Sequence, residues 1–275
     1  MLVLLPPSEG KADPPRRAAP LDLAALSFPE LSDTRRLLMD ALTQLCREDP
    51  DRAAEVLGLG PKLRHLVGVD AALEGGPTLP ARRLDTGVLF TALGLGDLPR
   101  AASARAARDV LVASGLWGLV RLGDRIPAYR LPGGLSVPGI GTLSSAWKQP
   151  LAGLLPGVVG RGPLLDLRSG TYVAAWSPTG EQAEATVTVR VLSERDGRRS
   201  VVSEANKAVK GRLTRALLLD GERLPGTADR LVDTVTRLGE HPSPHAPGWR
   251  TEDRGREPGK PWRLDVLATD LTATR

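Results

Sequence analysis

Leu2-Val3-Leu4-Leu5-Pro6-Pro7-Ser8-Glu9-Gly10-Lys11 sets an apolar run against a proline pair and then a polar loop. A short run of this kind reads as a buried strand, and Pro6-Pro7 ends it because neither residue offers an N–H to a ladder. Val110 to Ala113 and Leu164 to Leu167 have the same character. Thr186 to Leu192 alternates Val with polar residues, the period of a half-buried strand. The turn Arg195-Asp196-Gly197-Arg198 then returns Ser200 to Val202 as its hairpin partner, and Trp262 to Leu267 is a last strand. Between them lie helical stretches. Leu37, Leu38, Ala41, Leu42 and Leu45 share one face after an Asp33 cap, and further helices are expected at Arg52 to Leu57, from Pro61, and at Thr86 to Leu93. Three more are expected at Arg100 to Arg108, Ser144 to Leu155 and Ala205 to Leu219. Glu240 to Lys260, rich in Pro, Gly, His and charge, reads as a mobile surface loop. Strands and helices interleave without a repeated unit. The expected fold is mixed α/β (α+β) rather than a doubly wound parallel sheet: one compact domain over 1–275, with a mixed central sheet, surrounding helices and a helical hairpin subregion at 35–70.

Composition narrows the chemistry. The 275 residues carry 37 Lys plus Arg against 32 Asp plus Glu, net +5, and only six of the 37 are Lys. Aromatics are five Trp, two Tyr and two Phe, so a position that keeps a Lys or Tyr against this background is a marker. The single cysteine, Cys46, excludes an internal disulfide and a multi-cysteine metal site, and buried packing is its expected role. His241 and His245 are separated by prolines that forbid a shared helical face. No metal and no cofactor are expected. The start has no basic region of the signal-peptide kind, and no apolar run reaches membrane-spanning length. A cytoplasmic monomer with no membrane partner is the expectation.

Six basic residues against one acidic fall between Arg198 and Arg215, an excess equal to that of the whole chain. At about 100° per residue, Lys207, Lys210 and Thr214 line one face, with Arg212 and Arg215 beside it. The stretch is either a solvated helix face or a contact for phosphate. Gly211 permits close approach of another backbone or an anion. Ser8, Glu9 and Lys11 put a hydroxyl, a carboxylate and an amine just past a strand end, where ligands gather in α/β proteins. The loop fails the phosphate-loop pattern, with Leu5 and Ala12 at the required Gly and Ser/Thr positions, and a plain exposed turn is the alternative. Tyr129 lies near Arg125 and Arg130, and Tyr172 near Arg168; Asp124 is placed to orient an arginine. Each tyrosine is either a core residue with a satisfied hydroxyl or part of a cationic pocket with phenolic donors, in which Tyr or Lys moves a proton. Leu57-Gly58-Leu59-Gly60-Pro61-Lys62-Leu63 has the form of a turn between helices, with Gly58 a C-cap and Pro61 a first-turn residue or with amides open to a phosphate.

Five phrases occur in order: LLPPSEGK at 4–11, TGVLFTAL at 86–93, SGLWGLVRLGDRIPAYRL at 114–131, LLDLRSGTYVAAW at 164–176 and VVSEANKAVKGRLTRAL at 201–217. Together they resemble the YaaA peroxide-stress protein family, in its high-GC bacterial branch. The resemblance implies a compact α/β domain, a positively charged cleft, a helix-hairpin-helix-like element that grips DNA backbone, and a role in limiting oxidative damage. It implies no cofactor. Lys62 and Arg64 would then be phosphate contacts beside Gly58 and Gly60. Where that branch often carries His and an aromatic, this chain has Glu204 and Ala205, which puts a candidate base inside the basic stretch. Two functions follow as expectations. The first is sequence-independent DNA binding by the 57–64 turn and the 198–215 stretch, with Lys210 and Arg212 as anion contacts. The second is an enzyme on a small anionic or nucleotide-like substrate, in a pocket built from Lys11, Tyr129, Arg130, Arg168, Tyr172, Lys207 and Lys210, with Glu9 and Glu204 as further catalytic candidates and Ser8 and Arg125 as anion contacts.

Overall fold

The computed structural model describes residues 1–195, 198–200, 203–221, 224–241 and 248–268. Its main sheet is built from β1 (Leu2–Leu5), β2 (Val110–Ser114), β3 (Gly118–Arg121), β4 (Leu164–Asp166), β5 (Thr186–Arg195), β6 (Arg198–Ser200), β7 (Trp249–Asp253) and β8 (Trp262–Ala268). The order is β7-β8-β5-β4-β1-β2-β3, with β6 paired to β5. β1 occupies an inner position, parallel to β2 through Val3↔Val110, Leu4↔Leu111 and Leu5↔Val112 and parallel to β4 through Leu2↔Leu164 and Val3↔Leu165. The run from β8 through β5, β4 and β1 to β2 is parallel throughout, and β7 and β3 close the two edges antiparallel. The sheet is therefore mixed, as the irregular interleaving implies, with a parallel centre that the sequence pattern does not announce.

Every residue of β2 and β4 is buried, as are the last three of β1, so both faces of this centre are covered. That burial explains why these strands read as continuous apolar runs without alternation. One helical group is α4 (Val88–Leu93), α5 (Arg100–Asp109), α8 (Ser203–Leu219) and α9 (Ala228–Glu240), packed on one another and on β5, β2 and β7. The other is α1 (Ser32–Glu48), α2 (Pro50–Val56), α3 (Leu66–Asp70) and α6 (Leu143–Val159); α7 (Gly170–Val173) follows β4. Gly211 joins α8 to α4 at very short range: a Cβ there would lie 2.2 Å from the Leu89 carbonyl oxygen. Of the two partners open to it, backbone or anion, it meets backbone.

Three expectations change. Trp249–Asp253 is an edge strand rather than part of a surface loop over 240–260, because Trp249 is buried and donates its indole N–H to the Val235 carbonyl of α9; residues 242–247 lie outside the described residues. On α1, Leu37 is 55% exposed while Arg35 is fully buried. Arg35 turns inward because its guanidinium donates to three backbone carbonyls, Ser27, Trp117 and Leu119, at 2.8–3.0 Å, and burial lowers its pKa to about 10. Among the described residues Asp124 bonds to no arginine side chain; its carboxylate accepts from Ser27 and from the backbone N–H of Arg121, closing the turn after β3.

Candidate functional site

The C-terminal ends of β1, β2 and β4 point to one edge of the sheet, where α/β folds place their ligands. The loop after β1 is fixed by Asp85, whose carboxylate accepts the Ser8 N–H at 2.8 Å. Ser8 Oγ in turn accepts the Gly87 N–H at 2.7 Å, and a Cβ at Gly87 would sit 2.3 Å from that oxygen. Lys11 folds back over its own loop. Its ammonium lies 3.1 Å from Asp85, donates to the Ser8 carbonyl, and stands 4.7 Å above the ring of Tyr129. The Lys11 and Asp85 side chains are only 7% and 2% exposed, so this is a buried ion pair.

Tyr129 is buried, edge-on to Trp117, with its hydroxyl 2.7 Å from Ser114 Oγ at the end of β2. The Tyr172 hydroxyl accepts the Gly133 N–H at 3.2 Å, and only glycine fits there, since a Cβ would lie 2.7 Å from the tyrosine ring. Arg130 reaches the Glu9 carboxylate at 3.1 Å, and its backbone N–H donates to Asp70, the last residue of α3, at 2.9 Å. Ser8, Glu9, Lys11, Tyr129, Arg130 and Tyr172 line one narrow cleft. Tyr172 also walls an apolar chamber lined by Leu143, Trp147, Leu151 and Leu155.

Other predicted site residues lie elsewhere. Arg168 is bound to Asp166 at 2.7 Å and to the carbonyls of Tyr172 and Trp176, with both charged side chains at or below 4% exposure; it anchors α7 and borders the apolar chamber. Lys210 is buried and donates to the Leu167 carbonyl at 3.0 Å, where desolvation lowers its pKa against the pull of Asp166. Arg215 is buried against the Leu93 and Gly94 carbonyls at the end of α4. The basic stretch is thus split: Lys210 and Arg215 serve backbone acceptors, Arg199 pairs with Glu252, Arg212 is half-buried and Lys207 is exposed. Arg125 binds Thr78 across a small separate two-stranded sheet that pairs Thr78–Pro80 with Arg125–Pro127. The Glu204 side chain lies outside the described residues. The 57–65 turn leaves Gly58, Gly60, Lys62, Arg64 and His65 exposed. Gly58, at φ +64°, follows the C-cap of α2, and Pro61 opens a single 3-10 turn before α3. Asp85 and Asp70 carry no local sequence signal, because their partners lie 77 and 60 residues away; Ser114 caps the turn at Leu116 and Trp117 locally, but its cleft partner Tyr129 is 15 residues away.

A profile described as "Peroxide stress protein YaaA" matches residues 1–230. The chain belongs to the YaaA peroxide-stress protein family. It is 46% identical over 271 residues to a UPF0246 protein of Streptomyces coelicolor, covering 98% of this chain and 100% of that one. A UPF0246 protein of Corynebacterium efficiens is 42% identical over 244 residues, covering 87% and 93%. The family match takes in the cleft and the 57–65 turn, whereas β7 and β8 lie beyond residue 230. Within this YaaA-family chain, no described helix is long and apolar enough to cross a membrane.

Asp70 gives the YaaA-family site a pH signature. Its carboxyl is buried, one oxygen has no partner, and desolvation pushes its pKa up to about 7 against the Arg130 N–H and the charges of Arg130 and Lys11. The folded state therefore holds a proton that the unfolded chain releases near pH 4. Stability from this group is full below that pH and is lost as pH rises through about 7. Asp70→Asn, which keeps an acceptor for Arg130, is expected to flatten that decline and to gain about 1–2 kcal/mol at pH 8. Thermal unfolding of both proteins from pH 4 to 8 measures it; parallel curves reject the assignment.

Proposed function

We propose that the chain, as a cytoplasmic monomer, serves its family's peroxide-stress role by holding duplex DNA through the sugar-phosphate backbone at the 57–65 turn, and so limits oxidative damage. The observation that carries this reading is the outer surface of that turn. Nothing lies within 4 Å of the point a Cβ would occupy on Gly58 or Gly60, and Lys62, Leu63, Arg64 and His65 in the same turn are all exposed, with Arg64 paired to Asp51 of α2. Among the described residues the Gly60 N–H has no backbone acceptor. Amides and cations without a base-reading element suit phosphate contacts, which position a duplex without reading its sequence. The buried Lys210 and Arg215 leave the 198–215 stretch a smaller part in this reading than its charge count suggests.

Duplex affinity measured across a salt series tests it. The logarithm of the binding constant should fall linearly with the logarithm of salt concentration, and a Lys62→Ala, Arg64→Ala double variant should weaken binding to all sequences alike and lower the slope by about 2. A flat salt dependence, or a wild-type slope in the double variant, rejects the reading. A second reading, a protein acting on a small anionic or nucleotide-like ligand, draws support from the meeting of Lys11, Tyr129, Arg130 and Tyr172 around one cleft.

A further inference from the structure

Hydrogen-bond donors around the cleft outnumber the acceptors that use them. A serine hydroxyl has one proton and two lone pairs. At Ser114 both lone pairs are taken by backbone N–H groups, those of Leu116 at 3.2 Å and Trp117 at 2.9 Å. In the 2.7 Å contact with Tyr129, Ser114 must therefore donate and Tyr129 accept. The phenolic proton of Tyr129 is left over, with no acceptor among the described residues. Tyr172 repeats the arrangement: its oxygen accepts from Gly133, and its proton goes to no described group. Burial keeps both phenols protonated, Tyr172 being pushed up to about 12 and Tyr129 raised well above its ordinary value.

Arg130 supplies a third spare donor. Its Nε–H is buried and unpartnered, while its terminal nitrogens face Glu9. Lys11, by contrast, is occupied by Asp85, the Ser8 carbonyl and the Tyr129 ring. On the acceptor side the cleft has the Glu9 carboxylate, 65% exposed and already engaged by Arg130. The unpartnered oxygen of Asp70 belongs to a residue that does not line the cleft.

We propose that the cleft binds the oxyanion group of a small molecule, a phosphate or carboxylate, with the Tyr129 and Tyr172 hydroxyls and the Arg130 guanidinium as its donors. This rests on the second reading above and names the ligand chemistry. Tyr129 is only 6% exposed, so a small oxyanion can reach its hydroxyl more readily than the phosphate of a duplex backbone.

Calorimetric titration of the full chain with inorganic phosphate, and separately with acetate, tests the proposal. Saturable binding of at least one is expected, and neither should be displaced by duplex DNA. Tyr172→Phe removes a single 3.2 Å contact and one spare proton, so the fold should hold while affinity drops about tenfold, the loss of one hydrogen bond to a charged group. Arg130→Gln should cost at least as much, and Lys148→Ala, at an exposed position of α6 that does not line the cleft, should change nothing. Binding that survives Tyr172→Phe and Arg130→Gln overturns the donor assignment and leaves the broader reading of an anionic ligand standing. Displacement by duplex overturns the small-molecule assignment, and failure of both anions to bind overturns the proposal together with that reading.

Discussion

Replacing Asp85 by Ala is expected to lower the unfolding free energy by about 3–5 kcal/mol, because it strands a buried ammonium rather than removing a surface charge. With Asp85 gone, Lys11 keeps the Ser8 carbonyl and the Tyr129 ring but loses its one carboxylate partner within 4 Å among the described residues, in a site where its side chain is 7% exposed. The Ser8 N–H loses its acceptor at the same time. Exposed ion pairs are worth about 0–1 kcal/mol, so the size of the effect separates a buried pair from a surface one. Urea unfolding of Asp85→Ala, Lys11→Met and the double variant measures it, and the cycle should return a coupling of roughly 1–3 kcal/mol. A single variant within 1 kcal/mol of the parent would mean the pair does not hold the loop. Loop 6–11 carries Ser8, Glu9 and Lys11 into the cleft, so anion binding should fall with it.

Gly211→Ala should be the second large effect, and its direction opposes helix propensity. In an open helix interior, Gly to Ala gains about 1 kcal/mol. At Gly211 the added methyl would lie 2.2 Å from the Leu89 carbonyl oxygen and 3.0 Å from both the Ala92 Cβ and the Leu93 backbone nitrogen. Backbone cannot swing aside as a side chain can, so α8 and α4 must separate, and overpacking of this kind costs about 1–3 kcal/mol, occasionally more. A net loss of about 2 kcal/mol or more is expected. Gly153 in α6 is the internal control: exposed, with nothing within 4 Å of its would-be Cβ. Gly153→Ala should stabilise by up to about 1 kcal/mol. Chemical denaturation of the two variants should move the midpoint in opposite directions, and a shift of the same sign for both would show that the α8–α4 approach is looser than its geometry indicates.

Much of the fold was legible where one residue type decides a local event. Pro6-Pro7 ends β1, the alternation in Thr186 to Leu192 marks β5, and continuous apolar runs mark β2 and β4. Parallel pairing was hidden because it joins segments far apart in the chain and leaves no local trace. β7 was hidden for another reason: Trp249-Arg250-Thr251-Glu252-Asp253 has one large apolar residue and sits in Pro- and Gly-rich surroundings, so its strand character comes from pairing with β8 and from the seat of Trp249 on α9.

Rarity of Lys and Tyr led to half of the site. Lys11, Tyr129 and Tyr172 do meet, with Arg130, in the cleft. The same marker placed Lys207 and Lys210 there too, and they are not among the residues lining it. Helical spacing tells which residues share a face; whether that face looks at water or at a neighbouring carbonyl depends on packing from β4 and α4, which spacing does not contain. Asp85, Asp70 and Ser114 went unmarked because acidic residues and serines are common in this chain, and their importance arises from partners brought close only by folding.

The inner position of β1 bears on how the chain is made. Leu2–Leu5 is synthesised before either of its neighbours, Val110–Ser114 and Leu164–Asp166. At synthesis rates of ~5–20 residues per second, the second of these follows on the order of 10–30 s later. During that interval the nascent chain carries an apolar segment with at least one hydrogen-bonding edge open, the kind of surface that chaperones cover and that misassembles when crowded. Completion of the sheet's centre, and of the cleft at its edge, thus waits on the emergence of β4 rather than on the strand it closes over.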